Sequence, residues 1–258
     1  MTIQENNICF FTTCSTNYLG YAITALSSFK RFYPQSSFYI FTPNEKIIIG
    51  GIEIKEFDSH NFFQFSRSIN KSLMKKWPDI CFWWYKIPEL LAKEGFRFSC
   101  YLDPDVFCFR KHPFPINSPS TDMVLPILRK KYINTGYIWF NNINMLHKKF
   151  YETMVGLDSE QRKDKIRHEE DFLNRNLKNI KLNFNLELLN PKYIYFTYYT
   201  SINRKNTKRQ KKKYNINNLY VVHYIDSHKP WKKNTEDINP IKKALISKYI
   251  FDTKMHFN

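Results

Sequence analysis

Two carboxylates separated by one proline follow a run of alternating apolar residues. Asp103-Pro104-Asp105 comes directly after Phe96, Phe98, Cys100 and Leu102. The alternation predicts a strand with one face in a core. Open α/β sheets bind ligands outside the carboxyl ends of their strands, and carboxylate oxygens suit hard cations such as Mg²⁺ and Mn²⁺. Asp and Pro are also common turn residues, so the triplet by itself fits an ordinary turn better than a metal site.

Three further segments place polar residues beside apolar runs. Asn134 and Gly136 precede a hydrophobic stretch, where glycine permits close approach to a ligand and asparagine can bond sugar hydroxyls. Residues 168–174, HEEDFLN, gather three carboxylates at a predicted helix start. His223 lies in an apolar strand, and Lys229 lies beside a Pro-Trp pair and suits a diphosphate. The structural alternatives are a turn, an ordinary helix start and a buried core histidine.

Strand and helix patterns alternate along the chain, which predicts an α/β fold with a mainly parallel sheet and right-handed crossovers. This arrangement puts the aspartate pair at the ligand edge of the sheet. We find no internal repeat and no clear linker, so we expect one domain covering residues 1–258, with 232–258 as a C-terminal helical extension. The predicted strands are 8–13, 38–41, 52–57, 96–102, 123–128, 137–140, 180–184 and 220–225. The first predicted helix follows the loop 14–17, has apolar residues at helical spacing from Ala22 to Phe32 and ends at Pro34, and the other predicted helices are 79–94, 145–155, 171–177 and 238–251.

Composition excludes several classes of protein. The five cysteines form no C-x-x-C pair, which argues against a zinc site and a disulfide framework. The six glycines form neither a G-x-G-x-x-G nor a Walker loop, so bound phosphates would need a metal and cationic side chains. No apolar run reaches the length of a membrane span, and residues 1–7 lack a basic leader segment. We therefore expect a cytoplasmic location.

The formal net charge of +17 favours an anionic partner: nucleic acid, an anionic membrane or an acidic substrate. Part of the charge lies in one run, residues 204–213. The alternative is that this run is a solvated loop.

Taken together and in order, these segments resemble the family 8 glycosyltransferases, which have the GT-A fold, use nucleotide sugars and retain anomeric configuration. The resemblance spans about residues 8 to 231. The matching motifs are Asn17-Tyr18 after the first strand, the D-x-D of Asp103 and Asp105, Asn134 and Gly136, the segment 169–174, and the segment 223–231.

The resemblance implies roles for individual residues. Asp103, Asp105 and His223 would bind Mn²⁺ (or Mg²⁺), and a UDP-sugar would be the donor. Lys229 would contact the diphosphate, and Tyr18 would lie beside the uracil with Thr12 and Thr13 nearby. The residues implied at the donor sugar are Asn134, Glu169 and Glu170. Lys86 would take the place of the family's arginine before the D-x-D strand.

This sequence also departs from the family pattern at Glu170 and Asp226. Glu170 stands where the family has glutamine, and the run His168-Glu169-Glu170 is similar to that of the retaining α-galactosyl and N-acetylgalactosaminyl transferases, where the glutamate is the proposed nucleophile. Asp226 stands where the family has glycine, which adds negative charge near the diphosphate.

The expected activity is metal-dependent, retaining transfer of a galactose- or glucose-type hexose from a UDP-sugar to a glycan or other hydroxyl acceptor. The excess of Lys and Arg fits an acidic or glycolipid acceptor and peripheral contact with an anionic membrane. Two alternatives remain: a basic nucleic-acid-binding protein and a nucleotidyltransferase on a related fold. Against them, we find no recognised nucleic-acid motif, and residues 11–20 form no Gly-rich basic loop.

Overall fold

The computed structural model describes residues 4–43, 47–57, 79–129, 132–161, 169–196 and 219–224. The strands are β1 (Ile8–Thr13), β2 (Ser37–Thr42), β3 (Ile47–Ile49), β4 (Ile52–Glu56), β5 (Phe98–Leu102), β6 (Val106–Cys108), β7 (Met123–Leu125), β8 (Ile127–Arg129), β9 (Tyr132–Ile133), β10 (Tyr137–Asn141), β11 (Leu186–Leu188), β12 (Ile194–Phe196) and β13 (Val221–His223). The α-helices are α1 (Leu19–Lys30), α2 (Ile87–Lys93), α3 (Asn142–Lys148), α4 (Phe150–Gln161) and α5 (Glu169–Asn183).

Eight strands form the central sheet, in the order β11-β7-β10-β5-β1-β2-β4-β3. Strand β1 pairs in parallel with β2 and β5, β2 with β4, and β7 with β11. Strand β10 runs antiparallel to β5 and β7, and β3 runs antiparallel to β4. A three-stranded sheet, β12-β13-β6, lies beside it. The prediction of a mainly parallel α/β sheet is confirmed, with antiparallel pairs added.

Strand β5 is buried on both faces, not on the one face that its alternation predicted. All five of its residues are buried. Phe98, Cys100 and Leu102 pack on the side covered by α1, whereas Tyr101 belongs to the apolar cluster on the other side. A strand in the middle of an α/β sheet has helices on both faces, so both of its faces are buried even where its large apolar side chains alternate with smaller or more polar ones.

Two proline residues divide elements that were predicted to be continuous. The predicted helix 79–94 is a 3-10 helix, Asp79–Tyr85, followed by α2. Pro88 lies in the first turn of α2, where its missing N–H is tolerated, but within a continuous helix it would break a backbone hydrogen bond. Pro126 likewise separates β7 from β8, which belong to different sheets, so a single strand over 123–128 was wrong.

The prediction of a strand at 180–184 was also wrong, because α5 continues to Asn183. Phe172, Leu173 and Ile180 are buried at helical spacing along it, and this packing decides the conformation. The predicted helix 145–155 is two helices, divided at Lys149, which has a left-handed φ of 51°.

Two predicted elements, as well as the basic run 204–213, fall on residues that the structure does not describe. The predicted helix 238–251 and the extension 232–258 lie outside the described residues. Across the ranges that are described, no helix combines the length and the apolar character needed to cross a bilayer.

Candidate metal centre

Asp103 and Asp105 lie where β5 gives way to β6 at the carboxyl edge of the sheet. The amide of Val106 donates to the carbonyl of Asp103 at 3.0 Å, which closes a turn around Pro104. The amide of Asp103 donates to the carbonyl of Gly136 at 2.9 Å and continues the β5–β10 ladder. The triplet is therefore a turn as well as a pair of candidate ligands.

Strand β13 brings His223 to the aspartates. In the antiparallel β13–β6 pair, His223 lies opposite Val106, and the next amide, of Tyr224, donates to the carbonyl of Asp105 at 3.0 Å. Nε2 of His223 lies 3.2 Å from Oδ1 of Asp105 and 3.5 Å from Oδ2 of Asp103. The pairing of β13 with β6 thus brings together Asp103, Asp105 and His223, the three ligands that the motif resemblance implied.

This donor set fits a divalent cation. Asp103, Asp105 and His223 each offer one ligand atom, and these atoms lie within 4.8 Å of one another. Two carboxylates facing one ring nitrogen repel each other unless a positive charge lies between them. Two oxygens and an imidazole nitrogen are suitable ligands for Mn²⁺, and Mg²⁺ prefers the oxygens.

The start of α5 supplies two more carboxylates, which the loop before β10 holds. Nδ2 of Asn134 donates to Oε2 of Glu170 at 2.7 Å, and the amide of Thr135 donates to the same oxygen at 3.4 Å. The hydroxyl of Thr135 donates to Oε1 of Glu169 at 3.5 Å. Because Oδ1 of Asn134 lies 2.9 Å from Nδ1 of His223, this residue joins the glutamates to the candidate metal centre.

Both glutamates hold their protons more tightly than usual. Burial, with the nearby charge of Asp103, raises the pKa of Glu169 to about 8. Glu169 is half-buried as a residue, but its Oε2 is sealed from solvent and has no hydrogen-bond partner within the described ranges. Burial raises the pKa of Glu170 to about 7. The hydrogen bond from the amide of Thr135 stabilises the charged carboxylate and so opposes this rise. A cation between the aspartates would lower both pKa values.

Tyr101 and Gly136 shape the centre through contacts whose partners the sequence did not indicate. The hydroxyl of Tyr101 donates to Oδ1 of Asp103 at 2.7 Å and so orients that carboxylate. A side chain at Gly136 would place its Cβ 2.7 Å from Oδ2 of Asp103 and closer still to Cε1 of His223. The close approach expected at Gly136 is therefore to the candidate ligands themselves. In the sequence, the contact between Tyr101 and Asp103 was indicated only by the position of Tyr101, two residues before Asp103.

The residues expected at the nucleoside lie near the end of β1, the neighbour of β5. Thr12 and Thr13 are buried there. The hydroxyl of Thr13 donates to the carbonyl of Ile80 at 3.0 Å, whereas the Thr12 hydroxyl has no hydrogen-bond partner in the described part of the chain. Tyr18 follows in a short 3-10 helix with 44% of its surface exposed.

The two lysines that the resemblance implies at the donor, Lys229 at the diphosphate and Lys86 in place of the family's arginine, have different outcomes. Nζ of Lys86 pairs with Oε2 of Glu89 at 3.0 Å and lies 4.8 Å from the centre of the Tyr151 ring. These contacts hold the Lys86 ammonium between α2 and α4. Lys229 lies outside the described residues, as do His168 and Asp226.

Solved glycosyltransferase structures are similar to this chain over most of its length. The galactosyltransferase LgtC, solved with donor and acceptor sugar analogues, has a TM-score of 0.66 at 15% identity, covering 97% of this chain and 96% of its own. GlyE of Streptococcus pneumoniae TIGR4 has a TM-score of 0.65 at 15% identity and covers 96% and 62%. Mouse xyloside xylosyltransferase 1 has a TM-score of 0.56 at 11% identity and covers 84% and 97%.

At these identities the similarity establishes the fold. The chain has a GT-A-like α/β fold, as the resemblance in its motifs implied. No protein-family model and no curated protein matches the sequence.

Proposed function

We propose that this protein is a metal-dependent, retaining glycosyltransferase that moves a galactose- or glucose-type hexose from a UDP-sugar to a glycan or other hydroxyl acceptor. The observation that carries the proposal is the convergence of Asp103, Asp105 and His223 at the carboxyl edge of β5. Ligand binding at this edge is the rule for open α/β sheets. The fold shared with solved glycosyltransferases supports the assignment.

The three convergent residues would hold Mn²⁺ or Mg²⁺. When bound, the ion would supply positive charge that stabilises the departing diphosphate. The chain prepares this centre through neighbouring contacts, because Tyr101 orients Asp103 by a hydrogen bond of 2.7 Å. Ligands that are oriented in advance need no rearrangement when the donor arrives.

Glu170 and Glu169 are the carboxylates assigned to the sugar. Asn134 and Thr135 both donate to Oε2 of Glu170, so its carboxylate has a fixed orientation. Retention requires either attack on the face from which UDP departs or two successive displacements. In the second route an oxygen of Glu170 bonds to C1 as the C1–O bond to UDP breaks. The acceptor hydroxyl then displaces Glu170, and its proton passes to the diphosphate or to water.

The remaining donor contacts and the acceptor follow from the resemblance and the charge. Tyr18, Thr12 and Thr13 would contact the nucleoside, and Lys229 the diphosphate. With a formal charge of +17, the protein suits an acidic glycan or a glycolipid at an anionic membrane. We place this activity in the cytoplasm and in a single domain.

The first experiment is calorimetric binding of UDP with and without Mn²⁺ to the wild type, Asp105→Ala and Asp105→Asn. We expect binding that requires both the metal and Asp105. Glu152→Ala is the matched control, because Glu152 is an exposed carboxylate paired with Lys149. Binding would justify measuring UDP release from different UDP-sugars. No UDP binding under any condition, together with salt-sensitive binding of random RNA or DNA, would replace the proposal with the nucleic-acid alternative.

Glu170→Gln distinguishes the two routes to retention. Glutamine keeps an oxygen that can accept from Asn134, so the loop keeps its anchor, but it cannot form the covalent intermediate. Turnover of the variant at the wild-type rate would exclude Glu170 as the nucleophile. A loss of turnover with UDP affinity unchanged supports the covalent route.

A further inference from the structure

Asn134 directs its carboxamide into the protein. The residue is 4% exposed. Its Oδ1 accepts from the amide of Gly136 at 3.0 Å and lies 2.9 Å from Nδ1 of His223, while its Nδ2 donates to Glu170 at 2.7 Å. Both lone pairs of Oδ1 are therefore occupied within the chain.

The Gly136 amide decides which way the carboxamide points. A backbone N–H can only donate, so the atom of Asn134 that faces it must be the oxygen. The same oxygen faces Nδ1 of His223, and an oxygen of this kind can only accept. Nδ1 must therefore carry a proton, which leaves Nε2 of the uncharged ring with its lone pair directed toward Asp103 and Asp105.

Close neighbours also confine the ring. Gly136 lies so close to His223 that any side chain at position 136 would overlap Cε1 and Nδ1. The ring of Phe196 lies 5.7 Å from the imidazole, measured between ring centres. Rotation of the imidazole is thus restricted by packing, and the carboxamide selects the nitrogen that meets the carboxylates.

We propose that Asn134 is a positioning residue for the metal centre, which fixes His223 with Nδ1 protonated and Nε2 presented as the ligand. This inference rests on the proposed function, because it takes Asp103, Asp105 and His223 as the cation ligands. It assigns Asn134 to the metal centre, where the sequence resemblance assigned it to the donor sugar. Hydrogen bonds from neighbouring groups to ligating histidines typically change metal affinity by about 10- to 100-fold.

The test identifies the binding nitrogen directly. Protein labelled with ¹⁵N-histidine is loaded with ¹¹³Cd²⁺, a diamagnetic probe, and the Cd–N coupling is assigned by comparison with His223→Gln. We expect the coupling at Nε2 of His223 in the wild type. Coupling at Nδ1 would overturn the inference, and no coupling at His223 would overturn the ligand set of the proposed function together with the inference.

Variants then test the part played by Asn134. Mn²⁺ affinity is measured by electron paramagnetic resonance for Asn134→Leu, Asn134→Asp and Asn174→Leu. We expect about a 10- to 100-fold loss for Asn134→Leu and recovery in Asn134→Asp, which keeps the acceptor. Asn174 is the matched control, because it anchors the same loop by bonding both backbone groups of Ile133.

Three results separate the possible failures. Wild-type affinity in Asn134→Leu overturns the inference and leaves the metal centre in place. An equal loss in Asn174→Leu shows that loop anchoring alone explains the effect and also overturns it. Absence of Mn²⁺ binding in the wild type overturns the metal-dependent function, and the inference with it.

Discussion

Two buried histidines, His112 and His223, differ in what faces Nε2. They are 2% and 4% exposed. In each, Nδ1 faces an oxygen that accepts: the carbonyl of Pro113 at 2.6 Å for His112, and Oδ1 of Asn134 at 2.9 Å for His223. Nε2 of His112 accepts from the hydroxyl of Tyr137. Nε2 of His223 instead faces two carboxylates.

The difference separates a structural histidine from a candidate ligand. Burial lowers the pKa of His112 to about 4, so this ring is neutral at physiological pH. It stacks on Tyr193 with the ring centres 5.1 Å apart and has its hydrogen bonds satisfied. His223 is as deeply buried, but its Nε2 faces two carboxylates, and a bound cation would complete these surroundings. Burial alone therefore does not reveal a ligand, whereas the charge around the second nitrogen does.

The largest effect is expected for His223→Ala. Removing the nitrogen ligand leaves only the two aspartates, so Mn²⁺ affinity should fall by more than about 100-fold. Electron paramagnetic resonance of free Mn²⁺ measures this loss, and circular dichroism checks that the variant is folded. A folded variant with wild-type affinity would remove His223 from the metal centre and end its contrast with His112.

Gly136→Ala should have the next largest effect. The new Cβ would lie 2.7 Å from Oδ2 of Asp103 and would overlap the His223 ring, so the ligands must move. We expect about a tenfold or larger loss of Mn²⁺ affinity, measured in the same assay. Gly156→Ala is the matched control, because among the described residues no atom lies within 4 Å of its new Cβ. Equal affinities in the two variants would show that the approach at Gly136 is not critical.

His112→Leu should affect stability and leave metal binding intact. The substitution leaves the buried hydroxyl of Tyr137 without its acceptor, which costs about 2 to 3 kcal/mol of the free energy of unfolding. Urea unfolding measures the loss, and Mn²⁺ affinity should equal that of the wild type. Weaker Mn²⁺ binding at unchanged stability would contradict the structural role of His112.

Glu169→Gln should change how stability depends on pH. The pKa of Glu169 rises from 4.5 to about 8 on folding, so between these pH values the folded state binds more protons than the unfolded state. Its contribution to stability is present below pH 4.5 and is lost as pH rises toward 8. Without metal, the variant should therefore melt at a higher temperature than the wild type at alkaline pH.

Thermal unfolding in metal-free buffer at acidic and alkaline pH measures this difference. We expect it to shrink as pH falls, because neutral glutamate and glutamine then resemble each other. A difference that is the same at both pH values would show that Glu169 is not held protonated. Negative charge around the candidate metal centre would then no longer distinguish the surroundings of His223 from those of His112.

The central strands and the aspartate turn could be predicted from local patterns. Strands β1 and β5 are runs of apolar residues, and the turn at Asp103-Pro104-Asp105 follows from its residue types. The helix 171–177 was predicted too short, because the apolar residues of 180–184 fit a strand as well as the end of a helix. Only packing of Ile180 against the core resolved that ambiguity.

The sequence by itself determined which ligand types this protein has and that two of them follow a buried strand. Side-chain chemistry and short-range periodicity are properties of neighbouring residues, so they can be predicted without the fold. Tertiary structure decided the contact that the motif resemblance implied for His223, because the β13–β6 register brings His223, and not His112, to the aspartates. It also decided that Asn134 bridges His223 and Glu170, since hydrogen bonds between distant segments depend on how the strands and α5 pack together.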